Sequence, residues 1–309
     1  MNDALSVLRL DYCDFWPGFD KEDNWFASVL SEQYRLEVSD TPDLLIYSCY
    51  GQQYRTYDCK RVFVSWENRG WGFSQCDFAF SSDRVRSERH RRLPLWVTWL
   101  DQPFVQPTND PRAVLEGKRG FASLVVSNGA SPTRNRIHRR LDDYSVVASG
   151  GRYQNNVGGP VADKAAFISQ YKFNLACENS SYPGYVTEKL LHALQANTIP
   201  IYWGAPDVGL DFNPARFINV NDFESDDALM DRIVQLDRDD DAYCDVLSQP
   251  WFPNGELPTC ANLDGVREQF TRIVSSRITP VAQRPALLRA PRAAADRLRI
   301  RHRYRTRET

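Results

Sequence analysis

Residues 171–223 read YKFNLACENSSYPGYVTEKLLHALQANTIPIYWGAPDVGLDFNPARFINVNDF, and this stretch decides the fold. The apolar run Tyr171–Ala176 predicts a buried strand, and so does Ile199–Trp203. Between them, Tyr185–Ala196 predicts a helix, because its leucines recur on one side at helical spacing. A strand, a helix and a second strand in this order favour a βαβ unit, and therefore a parallel sheet.

The same alternation continues on both sides of this stretch, which predicts an α/β protein. The further predicted strands upstream are Leu5–Asp11, Asp43–Tyr47, Arg61–Ser65, Phe121–Ser127 and Ser145–Ala148. Helices are predicted over Lys21–Tyr34, with Asp20 as its N-cap, and over Arg134–Tyr144. Two more are predicted over Asp226–Leu236 and Asn262–Ser275.

The chain has 309 residues, more than the roughly 100–200 residues of a usual single domain. The segment Gln102–Gly120 breaks the alternation with three prolines, so we expect a domain boundary there. The predicted division is a first domain at 1–110, a second at 111–275 and a tail at 276–309. Two α/β domains joined in this way predict a cleft between them, where ligands usually bind.

Composition excludes several classes of protein. A hydrophobic fraction of 42% with 12% aromatic residues can fill cores, unlike a disordered chain. No run approaches the roughly 18–20 apolar residues of a membrane span, and Met1–Leu10 lacks the apolar region of a signal peptide. The seven cysteines are scattered without a C-x-x-C pair, which favours a reducing, cytoplasmic location over a disulfide framework or a zinc site.

Three segments place polar groups where strands end. Residues 177–189 form a glycine-containing turn before a predicted helix, whose N–H groups with Lys189 would bind an anion. Tyr185, Glu188 and Lys189 would share one helical face, although an ordinary N-cap explains these residues equally well. In the second segment, Arg134 is placed to grip phosphate oxygens, or else is a solvated surface residue.

The third segment, Val62–Asn68, contains Glu67 just after its apolar strand residues. Partial desolvation at the predicted cleft would suit this carboxylate to general-base catalysis, and the alternative is a surface salt bridge. Asp237-Arg238-Asp239 matches the D-x-D of metal-dependent sugar transferases but lies in an acidic run that predicts a solvated loop. The four histidines lack metal-ligand spacing, so no metal site is predicted. No G-x-G-x-x-G follows a strand, which disfavours a dinucleotide oxidoreductase.

Tyr171–Phe223 resembles the donor-binding signature of the α-1,3/1,4-fucosyltransferase family, particularly its bacterial members. Five further segments fit in family order: VFVSWEN (62–68), CDFAFSSD (76–83), RRLPLW (91–96), VVSNGASPTRN (125–135) and SGGRYQNNVGGPVADK (149–164). The resemblance covers about residues 60 to 255. The chain departs from the common bacterial pattern at Cys177, where an aromatic residue is usual, and at Trp66, where glycine is usual. Trp66 leaves open how an acceptor approaches the neighbouring Glu67.

The resemblance implies an α/β, GT-B-type fold of two Rossmann-like domains that face an interdomain cleft. The N-terminal domain would bind a glycan acceptor, of the N-acetyllactosamine type or a lipopolysaccharide side chain, and the C-terminal domain would bind GDP-fucose. The implied activity is inverting fucosyl transfer with α-1,3 or α-1,4 linkage.

The resemblance also implies roles for the residues of the three segments. Glu67 would be the general base, and Arg134, Tyr185 and Lys189 would contact the diphosphate. Glu188 would bind sugar or ribose hydroxyls, or stabilise positive charge on the fucose ring, and Asn179 would be a further donor contact. No metal or other cofactor is then required, because these cations take the part that a metal plays elsewhere.

The near-neutral net charge of −2 hides a basic tail. Residues 281–309 hold nine arginines and two acids, a net charge of +7, and the remaining body is acidic. The tail predicts a basic helix from about Ala293, and basic tails in related bacterial enzymes suggest attachment to the anionic inner face of a membrane. A disordered, solubilising tail is the alternative.

Two other functions stay open at this point. One is transfer from a different nucleotide sugar by an enzyme of similar architecture. The other is nucleic-acid binding through the arginine-rich tail, which the acidic body and the absence of a nucleic-acid module disfavour, so no nucleic-acid partner is expected.

Overall fold

The computed structural model describes residues 5–285, 293–298 and 300, and these form two compact units. The first unit runs up to Pro94 and resumes at Thr259, and the second unit is Leu95–Pro258. The predicted boundaries at 110 and 275 differ from this division. Residues 95–110 belong to the second unit, and residues 259–275 belong to the first.

The strands, in chain order, are β1 (Val7–Cys13), β2 (Arg35–Val38), β3 (Leu44–Tyr47), β4 (Lys60–Ser65), β5 (Phe78–Ser81), β6 (His90–Arg92), β7 (Gly120–Leu124), β8 (Val147–Ser149), β9 (Tyr171–Cys177), β10 (Ile199–Trp203) and β11 (Ile218–Asn219). The helices are α1 (Trp25–Ser31), α2 (Pro111–Glu116), α3 (Pro132–Tyr144), α4 (Lys164–Ile168), α5 (Glu188–Gln195), α6 (Asp226–Arg238), α7 (Asp240–Leu247) and α8 (Leu263–Ser275).

Each unit contains one sheet. In the first unit the strand order is β2-β1-β3-β4-β5-β6, and in the second it is β11-β10-β9-β7-β8. Every strand pair among the described residues is parallel. The predicted α/β class with parallel sheets is therefore confirmed.

Helix α8 completes the first unit, although the sequence places it in the second domain. The Phe270 ring of α8 stacks on Phe80 of β5 with centroids 4.9 Å apart and meets Phe26 of α1 edge-on. At the carboxyl end of α8, the Lys60 ammonium donates to the backbone oxygens of Ile273, Val274 and Ser276 at 2.8–2.9 Å. These contacts bind α8 to the sheet of the first unit, whose strands all precede residue 95 in the chain.

The second unit begins earlier than predicted. Leu95–Trp99 forms a short 3-10 helix whose Trp96 is buried against Phe212 and Phe252. The core of this unit lies between its sheet and helices α3 and α6, and includes Phe173, Ile201, Ile137, Leu141 and Ile233.

Local capping explains three further differences from the sequence predictions. Helix α1 begins after Asn24, whose side chain accepts the Ala27 N–H, whereas Asp20 accepts the N–H groups of the preceding turn. Asp110 and Asp239 cap α2 and α7. The predicted proline-rich linker and the predicted acidic loop thus each contain a helix. In both, an N-cap aspartate stabilises a helix that the composition of the segment disfavours.

Among the described residues, no helix combines the length and apolar character that a membrane span requires. The basic tail at 281–309 falls partly outside the described residues. The segment 293–298 is helical, as predicted from Ala293, and the Asp296 carboxylate accepts the Ser74 N–H at 2.7 Å.

Candidate active site

In each sheet the chain order of the strands reverses at one strand, because the next two strands of the chain lie on opposite sides of it. Strand β1 lies between β2 and β3, and β7 lies between β8 and β9. At such a point the loops after neighbouring strands diverge and open a crevice beyond the carboxyl ends of the strands, where ligands bind. Glu67 follows β4 close to the first point, and Arg134 and Asn179 follow β7 and β9 at the second.

Arg134 lies in the first turn of α3 and its side chain is completely buried. The guanidinium donates to the backbone oxygen of Asn128 and, from Nη1 at 3.4 Å, to the side-chain oxygen of Asn179. Within the described part of the chain it has no carboxylate partner, and its Nε has no hydrogen-bond partner. Burial lowers the pKa of Arg134. A buried cation without an anion is costly, so this side chain is suited to receive an anionic ligand.

The solvated-surface alternative for Arg134 is therefore wrong. Its neighbours Arg136, Arg139 and Arg140 are exposed. Arg136 and Arg140 pair with Asp226 and Asp227 of α6. Helix α3 thus separates one buried arginine, which faces the carboxyl edge of the sheet, from three that face solvent.

The loop after β8 packs against the loop that precedes α3. Gly151 has no room for a side chain, because a Cβ would lie 2.0 Å from the carbonyl oxygen of Val126. The Asn155 amide closes this loop by donating to the carbonyls of Gly151 and Gly159 at 2.7 and 2.8 Å and accepting the Gly159 N–H at 2.8 Å. The stretch beside Arg134 is therefore held in shape by its own hydrogen bonds.

Glu178 organises the turn between β9 and α5. Its completely buried carboxylate accepts from the Thr187 N–H and hydroxyl, each at 2.7 Å, and from the Lys189 ammonium at 3.0 Å. The ammonium also donates to the Thr187 hydroxyl at 2.9 Å. Lys189 is thus fixed at the beginning of α5 by a carboxylate that no solvent reaches.

These bonds correct the predicted start of the helix. Helix α5 begins at Glu188, three residues later than Tyr185, because the carboxylate of Glu178 takes the Thr187 N–H and Gly184 turns the chain with a φ of +82°. Tyr185 is therefore outside the helix and does not share a helical face with Glu188 and Lys189. It is buried, and its ring stacks on Tyr182 with centroids 4.8 Å apart.

Glu188 lies among basic side chains. Burial raises the pKa of its carboxyl, but the charges of Lys189 and Lys164 outweigh that effect and lower it. Burial, together with the Lys164 charge, lowers the pKa of His192 to about 4, so this imidazole is neutral near pH 7 and its Nδ1 accepts from the Lys164 ammonium at 3.0 Å. Glu188 is therefore an ionised carboxylate at the start of α5, next to the turn that Glu178 organises.

Glu67 in the first unit is exposed rather than partly desolvated as predicted. The chain turns outward directly after the buried Ser65, whose hydroxyl accepts the Glu67 N–H at 3.1 Å. One carboxylate oxygen, Oε1, accepts from the Tyr50 hydroxyl at 2.9 Å. Trp66 points away from this carboxylate, because its ring stacks on Phe26 and its Nε1 donates to the Leu93 carbonyl at 3.1 Å. The tryptophan therefore does not obstruct Glu67.

The structure adds residues that sequence reasoning missed, chiefly Glu178, Lys164 and Tyr50. Glu178 had a visible signal, since it is the acid directly after a buried strand. Lys164 and Tyr50 had none, because their partners His192 and Glu67 are 28 and 17 residues away in the chain. Within the described residues, no group of three or more potential metal ligands is clustered.

Two family models match the chain in succession. Residues 10–99 match the alpha-(1,3)-fucosyltransferase FucT N-terminal domain, and residues 115–249 match the C-terminal domain of glycosyltransferase family 10 (fucosyltransferase). The chain belongs to the family 10 fucosyltransferases. The resemblance inferred from the sequence motifs is thereby confirmed, and the second match contains Arg134, Glu178 and Lys189.

Curated relatives of this fucosyltransferase-family chain include the alpha-(1,3)-fucosyltransferase FucT of Helicobacter pylori, 34% identical over 78% of this chain and 59% of that protein. The human 4-galactosyl-N-acetylglucosaminide 3-alpha-L-fucosyltransferase FUT6 is 34% identical over 47% of this chain and 41% of its own length. The chain thus spans about three-fifths or less of the length of these relatives.

A solved structure of an alpha1,3-fucosyltransferase with GDP-fucose resembles this family 10 chain with a TM-score of 0.77 and 28% identity. The likeness covers 90% of this chain and 93% of that one. It confirms the α/β, GT-B-type fold class.

Proposed function

We propose that this protein is an inverting fucosyltransferase that moves L-fucose from GDP-fucose to a hydroxyl group of a glycan. The observation that carries the proposal is the buried guanidinium of Arg134 at the carboxyl edge of the second sheet, which has no carboxylate partner among the described residues and would pair with a diphosphate. The GDP-fucose named in the similar solved structure supports this donor. The 4-galactosyl-N-acetylglucosaminide named for the human relative supports an acceptor of the N-acetyllactosamine type.

The reaction needs a base for the acceptor and positive charge for the leaving group. Glu67 takes the proton of the acceptor hydroxyl as its oxygen attacks the anomeric carbon of fucose from the face opposite the diphosphate. The bond from that carbon to the phosphate oxygen breaks, and GDP leaves with the electron pair. Arg134 and Lys189 stabilise the charge that develops on the diphosphate.

The other donor residues have subsidiary roles in this proposal. Asn179, which accepts from Arg134, and Tyr185 complete the diphosphate site. Glu188 either binds hydroxyls of the donor or stabilises positive charge on the fucose ring, and its lowered pKa suits both roles. Transfer then needs no metal ion, because the leaving group already meets two cations.

A donor panel tests the proposal. The purified protein is incubated with N-acetyllactosamine and, in turn, GDP-fucose, GDP-mannose and UDP-sugars, with and without EDTA, and released nucleotide is measured. We expect turnover with GDP-fucose alone, unchanged by EDTA, and NMR of the product gives the α-1,3 or α-1,4 linkage. Turnover with another nucleotide sugar in place of GDP-fucose would establish the alternative transferase.

Replacement of Lys189 by alanine should lower the affinity for GDP about tenfold, because a charge-assisted hydrogen bond is lost. Calorimetric titration with GDP measures the effect. The variant also leaves the buried Glu178 without its ammonium partner, so the double variant Lys189→Ala, Glu178→Gln separates binding from stability: its melting temperature should recover while GDP binding stays weak.

Lys172→Ala is the matched control for the Lys189 variant. The two lysine side chains are equally exposed, at 17% and 18%, and each pairs with an acid of the second unit. Lys172 lies at the start of β9, whereas Lys189 follows its carboxyl end. GDP affinity that falls equally in both variants, or in neither, would remove Lys189 from the diphosphate site.

The cellular location and the tail belong to the same proposal. A cytoplasmic enzyme whose basic tail rests on the anionic inner face of a membrane is supported by the +7 charge of residues 281–309. Sedimentation with anionic vesicles, for the full chain and for a chain that ends before Val281, distinguishes this from a tail that only increases solubility.

A further inference from the structure

Three loops meet beyond the carboxyl ends of β1, β3 and β4, beside the point where the strand order of the first sheet reverses. Trp16 follows β1, Tyr50 follows β3 and Glu67 follows β4, and these strands are neighbours in the sheet. The Trp16 and Tyr50 rings lie edge to face with centroids 6.5 Å apart, and the Tyr50 hydroxyl reaches the Glu67 carboxylate at 2.9 Å. Two aromatic rings and one carboxylate thus line the crevice that this topology opens.

The loop that carries Tyr50 is rigidly attached to the end of β1. The Asp14 carboxylate accepts the N–H groups of Gln53 and Tyr54, each at 2.9 Å, and the Asp14 carbonyl accepts the Tyr50 N–H at 2.9 Å. At Gly51 a Cβ would lie 2.2 Å from the Asp14 carboxylate, so only glycine permits this approach. The position of the Tyr50 ring is therefore set by the backbone of two strands.

The rings remain accessible although they are fixed. Trp16 is 41% exposed and Tyr50 is 50% exposed, which is unusual for large aromatic side chains in contact with each other. Beneath them, the ring of Trp66 lies 6.3 Å from Trp16 and is stacked on the buried Phe26. The exposed pair therefore forms the outer layer of an aromatic stack that continues into the core.

The Tyr50 hydroxyl is a hydrogen-bond donor at any pH at which the protein is used. Burial and the adjacent Glu67 carboxylate raise the pKa of this phenol above its usual value of 10. Its proton therefore points to Oε1 of Glu67, which leaves Oε2 to receive a proton from another group.

We propose that Tyr50 is a positioning residue that orients the Glu67 carboxylate, and that Trp16 and Tyr50 together form the seat for the acceptor sugar ring whose hydroxyl reacts. The inference rests on the proposed function and names the acceptor subsite of that reaction. A pyranose ring has an apolar C–H face and a rim of hydroxyl groups. The aromatic faces would pack against the C–H face, and the carboxylate at their edge would accept a hydrogen bond from a hydroxyl group of the rim.

A saccharide explains the combination better than an apolar protein partner. The pair is small, and a charged carboxylate stands at its edge, where an apolar interface would have to desolvate it without compensation. A hydroxyl group, by contrast, hydrogen-bonds to that carboxylate. The seat therefore selects a ligand that is apolar on one face and hydroxylated at its rim.

The test separates the two roles by steady-state kinetics with GDP-fucose and N-acetyllactosamine. Tyr50→Phe keeps the ring and removes only the hydroxyl, so kcat should fall about tenfold while the acceptor KM stays within about twofold. Trp16→Ala removes the ring, so the acceptor KM should rise about tenfold, and Trp16→Phe should restore most of that loss. The Kd for GDP should stay unchanged in all three variants.

Tyr34→Phe, which removes another tyrosine hydroxyl of the same unit, is the control and should leave both kinetic constants unchanged. An unchanged kcat in Tyr50→Phe would overturn the positioning role, and an unchanged acceptor KM in Trp16→Ala would overturn the seat. A decrease in both GDP affinity and melting temperature in all of these variants would indicate a purely structural role. That result would contradict both the positioning role and the seat.

Saturation-transfer NMR measures the binding of N-acetyllactosamine, and of its β-1,3-linked isomer, without requiring transfer. It therefore tests the seat separately from the proposed function. Binding that is lost in Trp16→Ala supports the seat even if the wild-type protein transfers no fucose, a result that would contradict the proposed function alone. Binding of either disaccharide that is indifferent to Trp16, or absent from the wild type, overturns the seat.

Discussion

Glu67→Gln is expected to lower kcat for fucosyl transfer by about 10²–10⁴-fold, the usual contribution of a positioned general base. Glutamine has the same shape and can still accept the hydrogen bond from Tyr50, but its amide cannot take a proton from the acceptor hydroxyl. Because Glu67 is exposed, the substitution should not disturb folding. Single-turnover measurements at saturating donor and acceptor give the rate of the chemical step directly.

Two comparisons make the Glu67 result decisive. GDP binding, measured by calorimetry, should be the same in Glu67→Gln as in the wild type. Glu37→Gln neutralises another exposed glutamate of the first unit, on strand β2, and should leave turnover unchanged. Near-normal turnover of Glu67→Gln would show that the base is a different group.

Arg134→Lys should weaken GDP binding by about 100-fold although the positive charge is retained. The guanidinium is planar and is held between the Asn128 carbonyl and the Asn179 side chain, so its remaining N–H groups have a fixed direction. A lysine ammonium is a point charge on a flexible chain and cannot reproduce two parallel hydrogen bonds to phosphate oxygens. Calorimetric titration with GDP, together with the melting temperature, measures the effect.

Arg216→Lys is the matched control for this variant. Arg216 is also an almost completely buried arginine of the second unit, and its guanidinium donates to the Thr198 carbonyl, before the start of β10. Its replacement should reduce stability without changing GDP affinity. If both variants lose stability and GDP affinity in parallel, Arg134 is a structural arginine and the proposed diphosphate site is wrong.

The spacing of apolar residues predicted the fold, because it shows which side of each segment is buried. The β9-α5-β10 stretch alternates apolar runs with a leucine-rich helical face, and the structure has these elements within a few residues of the predicted bounds. The errors arose where one side chain decides a boundary. Glu178 delays α5 by taking the Thr187 N–H, and Asp239 starts α7 inside an acidic run. The residue at which each of these helices starts depends on a single hydrogen bond, which a hydrophobic pattern does not encode.

The candidate site was predictable where family motifs supply it and not where distant loops meet. Strand ends and family motifs both point to Arg134 and Glu67 as site candidates, but neither indicates the burial of Arg134 or the exposure of Glu67. The exposure of Glu67 depends on how the chain leaves β4, and its partner Tyr50 comes from a different strand. Local sequence contains no record of a contact between two such loops, so this part of the site needed the structure.

The return of α8 to the first sheet has a consequence for the order in which the molecule is made. A ribosome releases the whole of the second unit, Leu95–Pro258, before it releases α8. Until then, Phe26 and Phe80 lack the Phe270 ring that covers them. The part of the protein that is synthesised first is therefore finished last. During translation its apolar surface at Phe26 and Phe80 therefore stays uncovered until α8 emerges, although the second unit is already complete.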